Sequence, residues 1–217
     1  MIRPLILSLF WASASLAQSL VPLPAEDHAQ WQAIGRINVA GYKARSMCSG
    51  TLIAPDKVLT AAHCVLRPDG RAFALADITF VAGWLRGNYS AAAKPVQLDL
   101  PPKAYGPRGI VVAHDLAVLT LDAVLDLAPL PVGADAAVRR VTLSGYTRER
   151  PHMLSIAKDC PAHKNGAVLW IGCPVTRGAS GGPVLVNTQA GWRVVGVISA
   201  TNGTATLAAP ITDFIAE

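Results

Sequence analysis

Charged residues are scarce in this chain, and the basic ones form no cluster. Asp, Glu, Lys and Arg make up 15% of the 217 residues, whereas hydrophobic residues make up 52%. The formal net charge of +5 comes from Lys and Arg residues that are scattered along the chain. Because a nucleic-acid interface needs basic residues gathered on one face, the sequence predicts no nucleic-acid partner. The composition is that of a globular domain with ample apolar material for a core.

Long apolar runs are also scarce, and the one present lies at the start of the chain. Arg3 precedes an apolar stretch over residues 5–16, and Ser15 and Ala17 occupy the positions that a signal peptidase reads. We therefore expect residues 1–17 to be a cleaved signal peptide and the protein to be secreted or periplasmic. A membrane anchor is the alternative, but the stretch is shorter than the roughly 20 residues that cross a bilayer. After signal removal we expect no stable membrane span.

The four cysteines lack the spacing of a zinc site, and the histidines beside them supply no such spacing either. We therefore expect no metal and no cofactor. In an exported chain, an even number of cysteines predicts disulfides, and four cysteines allow three pairings. We prefer Cys48 with Cys64 and Cys160 with Cys173, because both pairs close short local loops.

Short runs rich in Val, Ile, Leu and Thr recur between turn residues from position 33 onward, which predicts an all-β fold. A Pro- and Gly-containing break at residues 122–137 divides these runs into two similar groups. We place an N-terminal β-domain at residues 33–125 and a C-terminal one at 126–217, which ends in a short helix. Residues 18–32 lack a clear period, and we interpret them as an exposed leader or short propeptide.

One serine stands in a Gly-rich turn that could present a nucleophile. Gly178-Ala179-Ser180-Gly181-Gly182 satisfies G-x-S-x-G, the nucleophile elbow of α/β-hydrolases. In that fold the histidine follows the serine, but no histidine follows Ser180 here, and the chain has no βαβ rhythm. The elbow is therefore excluded. A turn without a catalytic role is the remaining alternative for the motif taken alone.

A base and a carboxylate for Ser180 are available upstream. A serine hydroxyl is a poor nucleophile until a base accepts its proton, and a carboxylate must orient that base. His63 ends the segment VLTAAHC, and Asp115 begins HDLAVLTL. His114 is the alternative base, but it adjoins Asp115, and neighbouring residues of a strand point to opposite faces.

The segments CSGTLIAPDKVLTAAHC, HDLAVLTL and TRGASGGPVL, in this order, resemble the chymotrypsin/trypsin-like serine peptidases. The family motifs are T-A-A-H-C, D-[IL]-A and G-[DN]-S-G-G-P. The pattern is closest to the bacterial trypsin-like and glutamyl-endopeptidase-like branches. The resemblance implies two six-stranded antiparallel β-barrels with the active site in the cleft between them. It also implies a catalytic triad of His63, Asp115 and Ser180 that forms an acyl-enzyme.

Further roles are implied by the same resemblance. The backbone N–H groups of Gly178 and Ser180 would form the oxyanion hole. Ser199 resembles the family serine that touches the triad aspartate. Ala200 and Thr201 would line the side of the cleft where the acyl half of a peptide adds as a strand.

The sequence departs from the family pattern at several positions. Ala179 stands where many members have an acidic residue that pairs with a new N-terminal ammonium. Ile37, which follows Arg36, lies closer to His63 than the family spacing suggests, so we expect no activation by insertion of an isoleucine terminus. Pro174 and Ile198 replace charged residues that set specificity in relatives, which favours a neutral S1 pocket.

The leading hypothesis is a secreted or periplasmic serine endopeptidase that acts as a monomer on protein or peptide substrates. The alternative is a catalytically silent homologue that binds peptides or surfaces with the same cleft.

Overall fold

The computed structural model describes residues 19–41, 44–135, 137–211 and 213–215, so the predicted signal peptide lies outside the described residues. Helical structure in this part is limited to α1 (Ala62–Val65) and 3-10 turns at Ala25–Trp31, Leu75–Asp77, Val112–His114 and Asp213–Ile215. The strands are β1 (Val21–Pro22), β2 (Ile34–Gly41), β3 (Ala44–Ala54), β4 (Lys57–Thr60), β5 (Ile78–Ala82), β6 (Ala91–Ala93), β7 (Pro95–Asp99), β8 (Tyr105–Gly106), β9 (Gly109–Ile110), β10 (Ala117–Leu121), β11 (Arg140–Gly145), β12 (Ser155–Asn165), β13 (Val168–Ile171), β14 (Pro183–Thr188), β15 (Gly191–Thr201) and β16 (Thr206–Pro210).

The first half of the chain forms a seven-stranded antiparallel sheet in the order β6-β5-β2-β3-β4-β10-β7. In β5 and in most of β2, buried and half-exposed residues alternate, because successive side chains point to opposite faces. In β5, for example, Ile78, Phe80 and Ala82 are buried and the residues between them are half-exposed. The central strand β2 pairs with β3 on one side and β5 on the other.

The second half forms a closed barrel. Six strands follow the order β12-β11-β14-β15-β16-β13, and pairing of β12 with β13 closes the ring. β1 extends this sheet beyond β12. The predicted all-β fold is therefore confirmed, with one difference in detail. Among the described residues no strand pairing closes the first sheet, which is a curved half-barrel of seven strands.

The largest core cluster lies across the junction of the two halves. It contains Ile34, Leu52 and Phe80 from the first sheet together with Tyr146 and Val197 from the second half of the chain. A second cluster fills the closed barrel. Because the apolar contacts are continuous from one sheet to the other, the two halves pack against each other through one shared core.

Burial corrects one part of the interpretation of residues 18–32, because several side chains of the described part are not exposed, while the short-propeptide alternative stays a prediction. Residues 19–32, which we call the N-terminal strap, pack against the rest of the protein. Leu20, Leu23 and Trp31 are 4%, 1% and 3% exposed.

Hydrogen bonds and an aromatic contact hold the N-terminal strap. Val21 pairs with Ile156 of β12, and the Leu23 N–H donates to the Leu154 carbonyl at 2.9 Å. At the other end of the strap, the rings of Trp31 and Trp192 have centroids 5.2 Å apart. The strap thus joins the second barrel just before the chain enters β2 of the first sheet.

No helix among the described residues is long and apolar enough to cross a membrane.

We expect Trp31→Ala to destabilise the fold by about 3 to 5 kcal/mol, the usual loss for a large buried aromatic side chain. The free energy of unfolding in urea measures this. Val124→Ala is the control, since Val124 is 75% exposed and should change stability by less than about 0.5 kcal/mol. A loss at Trp31 as small as that at Val124 would contradict a structural role for the strap.

Candidate active site

Two neighbouring strands bring His63 close to Asp115. β4 and β10 are antiparallel, with Thr60 opposite Ala117. His63 lies three residues beyond Thr60 in α1, and Asp115 lies two residues before Ala117, so both extend from the same end of this pair. His63 Nδ1 lies 2.6 Å from Asp115 Oδ2, and the His63 backbone N–H donates to Asp115 Oδ1 at 2.9 Å.

Ser199 completes the surroundings of the Asp115 carboxylate. Its hydroxyl donates to Asp115 Oδ2 at 2.5 Å from β15 of the second barrel. Asp115 is completely buried, whereas the His63 side chain is 30% exposed. A carboxylate that accepts a hydrogen bond from Nδ1–H selects the tautomer with a free lone pair on Nε2. The arrangement therefore orients the imidazole with an accepting nitrogen at the other end of the ring.

Ser180 lies on a tight turn between β13 and β14, directly beside the segment that leads to His63. Gly181, at φ +80°, is so close to Thr60 that a Cβ atom would overlap Thr60 Oγ1, and it would lie 3.1 Å from the Ala61 nitrogen. The turn is also tied to β15, since the Gly181 N–H donates to the Ile198 carbonyl at 2.8 Å. In the described part of the chain, Ser180 Oγ makes no hydrogen bond.

Two backbone N–H groups of this turn have no acceptor among the described residues: those of Gly178 and Ser180. The N–H groups of Ala179 and Gly182, by contrast, donate to carbonyls at 3.2 and 2.9 Å. Gly178 has φ +99°, a conformation that favours glycine. Two unpaired donors beside a serine hydroxyl form a site that can stabilise negative charge on an oxygen atom.

A buried serine that sequence reasoning missed holds this turn from the first sheet. The Ser49 hydroxyl donates to the Gly178 carbonyl at 3.0 Å and accepts the Tyr146 N–H at 2.8 Å. Its backbone N–H donates to the Ser180 carbonyl at 2.8 Å. Thr60 Oγ1 donates to the Ser49 carbonyl at 2.7 Å. The sequence marks Ser49 only as the neighbour of a half-cystine, because its partners are remote in the chain.

Ala179 and Ile37 are both fully buried. Ala179 packs against Gly145, where an added Cβ would lie 3.1 Å from the Ala179 Cα. Ile37 lies in the middle of β2, opposite Cys48 on one side and Phe80 on the other. Ala179 offers no carboxylate, and Ile37 is an internal residue of β2. These two positions therefore do not form the ion pair with a chain terminus that is found in many family members.

The remaining predicted residues lie along β15 and at the disulfides. Ala200 follows Ser199 and is half-exposed, and Thr201 is exposed, with its hydroxyl bonded to the Ala205 carbonyl at 2.8 Å. Ile198 is fully buried. The structure pairs Cys48 with Cys64 and Cys160 with Cys173.

One group of potential metal ligands lies together among the described residues, formed by His63 with Cys48 and Cys64. Because the two sulfur atoms are joined in a disulfide, they offer no thiolate to a metal ion. This group does not form a metal site while the disulfide is intact.

Comparisons with known proteins agree with this geometry. A family model described as a trypsin-like peptidase domain matches residues 48–197. Human serine protease 23 is 26% identical over 185 residues, which cover 70% of this chain and 48% of that protein. Trypsin from Saccharopolyspora erythraea is 33% identical over 88 residues, covering 40% of this chain and 35% of that protein. The chain thus spans about half the length of the first relative, and less of the second.

Solved structures share the fold at low sequence identity. A Glu endopeptidase in complex with MPD has a TM-score of 0.75 at 20% identity, covering 91% of this chain and 94% of that one. The protease Anisep from Arthrobacter nicotinovorans has a TM-score of 0.67 at 19% identity, with 82% and 90% covered.

We expect Ser49→Ala to lower the free energy of unfolding by about 2 kcal/mol, because a buried N–H and a buried carbonyl each lose a partner. Urea unfolding measures the change. Ser144→Ala is the matched control, since this buried hydroxyl makes a single contact of 3.2 Å with the Ser155 carbonyl and should cost about 1 kcal/mol or less. Equal losses in the two variants would mean that the Ser49 hydroxyl has no special part in holding the turn.

Proposed function

The chain belongs to the trypsin-like peptidase family, and from this premise we propose that it is a secreted or periplasmic serine endopeptidase. The catalytic groups in this proposal are His63, Asp115 and Ser180. The observation that carries the proposal is the fully buried Asp115 carboxylate, which binds both the backbone N–H and the Nδ1 atom of His63. The two disulfides support an oxidising compartment outside the cytosol.

In the proposed first step, Ser180 Oγ attacks the carbonyl carbon of the scissile peptide bond. His63 Nε2 accepts the hydroxyl proton, and Asp115 stabilises the imidazolium that results. The carbonyl oxygen becomes an oxyanion that accepts hydrogen bonds from the N–H groups of Gly178 and Ser180. The C–N bond then breaks, His63 returns the proton to the leaving amine, and the acyl group stays on Ser180 Oγ as an ester.

In the second step, water takes the place of the amine. His63 Nε2 removes a proton from the water molecule, whose oxygen attacks the ester carbonyl at the same oxyanion site. When the tetrahedral intermediate collapses, the proton passes to Ser180 Oγ and the carboxylic acid product leaves. The cycle thus restores the serine hydroxyl and the neutral imidazole.

Several features of the cleft support protein or peptide substrates. β14 pairs with β15 no further than Val197, whereas β16 pairs with β15 as far as Thr201, so residues 199–201 keep one backbone edge to which an extended peptide can add. Ile198 and Pro174 supply no charge at the positions that select charged side chains in relatives, which favours a neutral residue before the scissile bond. The silent homologue stays the alternative, and the unpaired N–H groups of Gly178 and Ser180 favour the enzyme over it.

We expect a fluorophosphonate probe to label the protein at Ser180 and Ser180→Ala to abolish labelling. Because triad members act as a unit, Ser180→Ala and His63→Ala should each lower peptide turnover by roughly a million-fold. Ser90→Ala and His152→Ala change the same residue types at exposed positions and should keep full activity. A wild-type protein that is folded yet unlabelled would favour the silent homologue.

We also expect the turn to be functional without an isoleucine terminus. A chain that starts at Gln18 should titrate fully with an active-site reagent. A chain that starts at Ile37 should not, because it lacks the first three residues of β2 and would bury a terminal ammonium. A third chain that starts at Ala33 loses the strap and keeps all of β2. It therefore distinguishes the effect of losing the strap from the effect of shortening β2. If only the Ile37 start titrated, the proposed role of Ala179 would be wrong.

A further inference from the structure

A groove beside the oxyanion turn is lined by three arginines. This basic groove has a volume of ≈ 600 Å³, and Arg36, Asn38, Arg45, Met47 and Arg148 are among its lining residues. Arg36 and Arg45 come from β2 and β3 of the first sheet, and Arg148 follows β11 of the second half. The groove therefore crosses the junction on which the proposed active site lies.

Contacts with Gly178 fix where the groove begins. A Cβ added at Gly178 would lie 2.7 Å from Met47 Cε and 3.1 Å from the Arg148 nitrogen. The Arg148 N–H also donates to the Arg177 carbonyl at 2.8 Å. One end of the basic groove is thus in direct contact with the turn that carries the oxyanion donors.

The positive charges of the groove have no carboxylate partner in the part of the chain that the structure describes. Within the described ranges, no salt bridge involves Arg36, Arg45 or Arg148. The neighbouring carboxylate of Glu149 accepts a hydrogen bond from Thr176 Oγ1 at 2.8 Å, which lowers its pKa. Asp77, whose Oδ2 lies against Gly41, does not pair with these arginines either.

Arg36 is the most constrained of the three. Its guanidinium donates to the Pro151 carbonyl and to Asn38 Oδ1, both at 3.0 Å, and lies 5.3 Å from the centre of the Trp84 ring. Its Nε is buried without a hydrogen-bond partner among the described residues. Partial burial lowers the pKa of Arg36, as expected for a cation removed from water without a nearby anion.

We propose that the basic groove binds acidic side chains of the substrate on the leaving-group side of the scissile bond. This inference rests on the proposed function. The acyl half of a peptide lies along β15 at residues 199–201, so the leaving half continues past Gly178 towards Met47. An extended peptide advances about 3.3 Å per residue, and we assign the arginines to its second and third leaving-side residues. Asp or Glu there would form charge-assisted hydrogen bonds with unpaired guanidinium groups.

The test compares two internally quenched peptide libraries, both randomised before the scissile bond. One library has Glu at the second and third leaving-side positions, and the other has Gln. We expect the wild-type protein to cleave the Glu library about ten-fold faster at low salt, a preference that shrinks at high ionic strength. Equal rates, or a preference that ignores salt, would overturn the inference.

Matched variants assign the preference to the groove. Arg45→Gln combined with Arg148→Gln should reduce the ratio of rates to about two or below, while the rate on the Gln library stays close to that of the wild type. Arg139→Gln combined with Lys164→Gln removes the same charge from exposed positions of the second barrel and should keep the ten-fold ratio. An undiminished ratio in the groove variant would refute the assignment.

Failure of the inference can be told apart from failure of the proposed function. Fluorophosphonate labelling with equal cleavage of both libraries overturns the groove and leaves the peptidase intact. If the protein neither labels nor cleaves, the peptidase proposal fails instead. Fluorescence anisotropy then measures how tightly the wild-type and groove-variant proteins bind each library. Tighter binding of the Glu library by the wild-type protein alone would show that the basic groove holds acidic peptides.

Discussion

The buried carboxylate of Asp115 is the constraint around which the cleft is organised. An ionised carboxylate removed from water costs several kcal/mol unless donors surround it. Here the donors come from α1, which follows β4, and from Ser199 on β15. The ends of strands from both halves must therefore meet at one point for the fold to be stable. The same contacts that satisfy the charge also fix the orientation of His63, so stability and the proposed chemistry have a common cause.

Ser49 meets a second requirement, which is to hold the Gly178–Ser180 turn in place. In family members that have an acidic residue at the position of Ala179, an ion pair between that residue and the N-terminal ammonium can hold the turn. Ala179 has no charge and packs on Gly145, so the hydrogen bonds of Ser49 to Gly178 and Ser180 supply the tether from the other half. These bonds satisfy carbonyl groups and leave the N–H groups of both residues unpaired. The turn is thus held through its carbonyl groups, and its two N–H groups stay available for the proposed interaction with a substrate oxygen.

Sequence reasoning succeeded for the fold, which follows from short segments with their own patterns, while the catalytic roles assigned to His63, Asp115 and Ser180 stay predictions. The alternating runs predicted the β-fold, and His63, Asp115 and Ser180 stand in motifs that each include the adjoining strand or turn. It failed for the N-terminal strap, because a two-residue strand and a 3-10 turn leave no period, and Leu20, Leu23 and Trp31 find their partners only in the folded chain. Ser49 was missed for the same reason, since its hydroxyl contacts residues almost 100 or more positions away.

The junction between the halves therefore combines three tasks: it stabilises the fold, positions the side chains proposed to react and forms the basic groove. Arg36 illustrates the overlap, because its guanidinium donates to Pro151 across the junction and also contributes charge to the groove. Loss of Arg36 would affect packing and recognition together. Arg45 and Arg148 are exposed and make no salt bridge among the described residues. Their charge is therefore available to the proposed substrate and is not used to stabilise the fold. The partly buried arginine shapes the groove, and the two exposed arginines supply the charge to which we assign the proposed preference for acidic substrates.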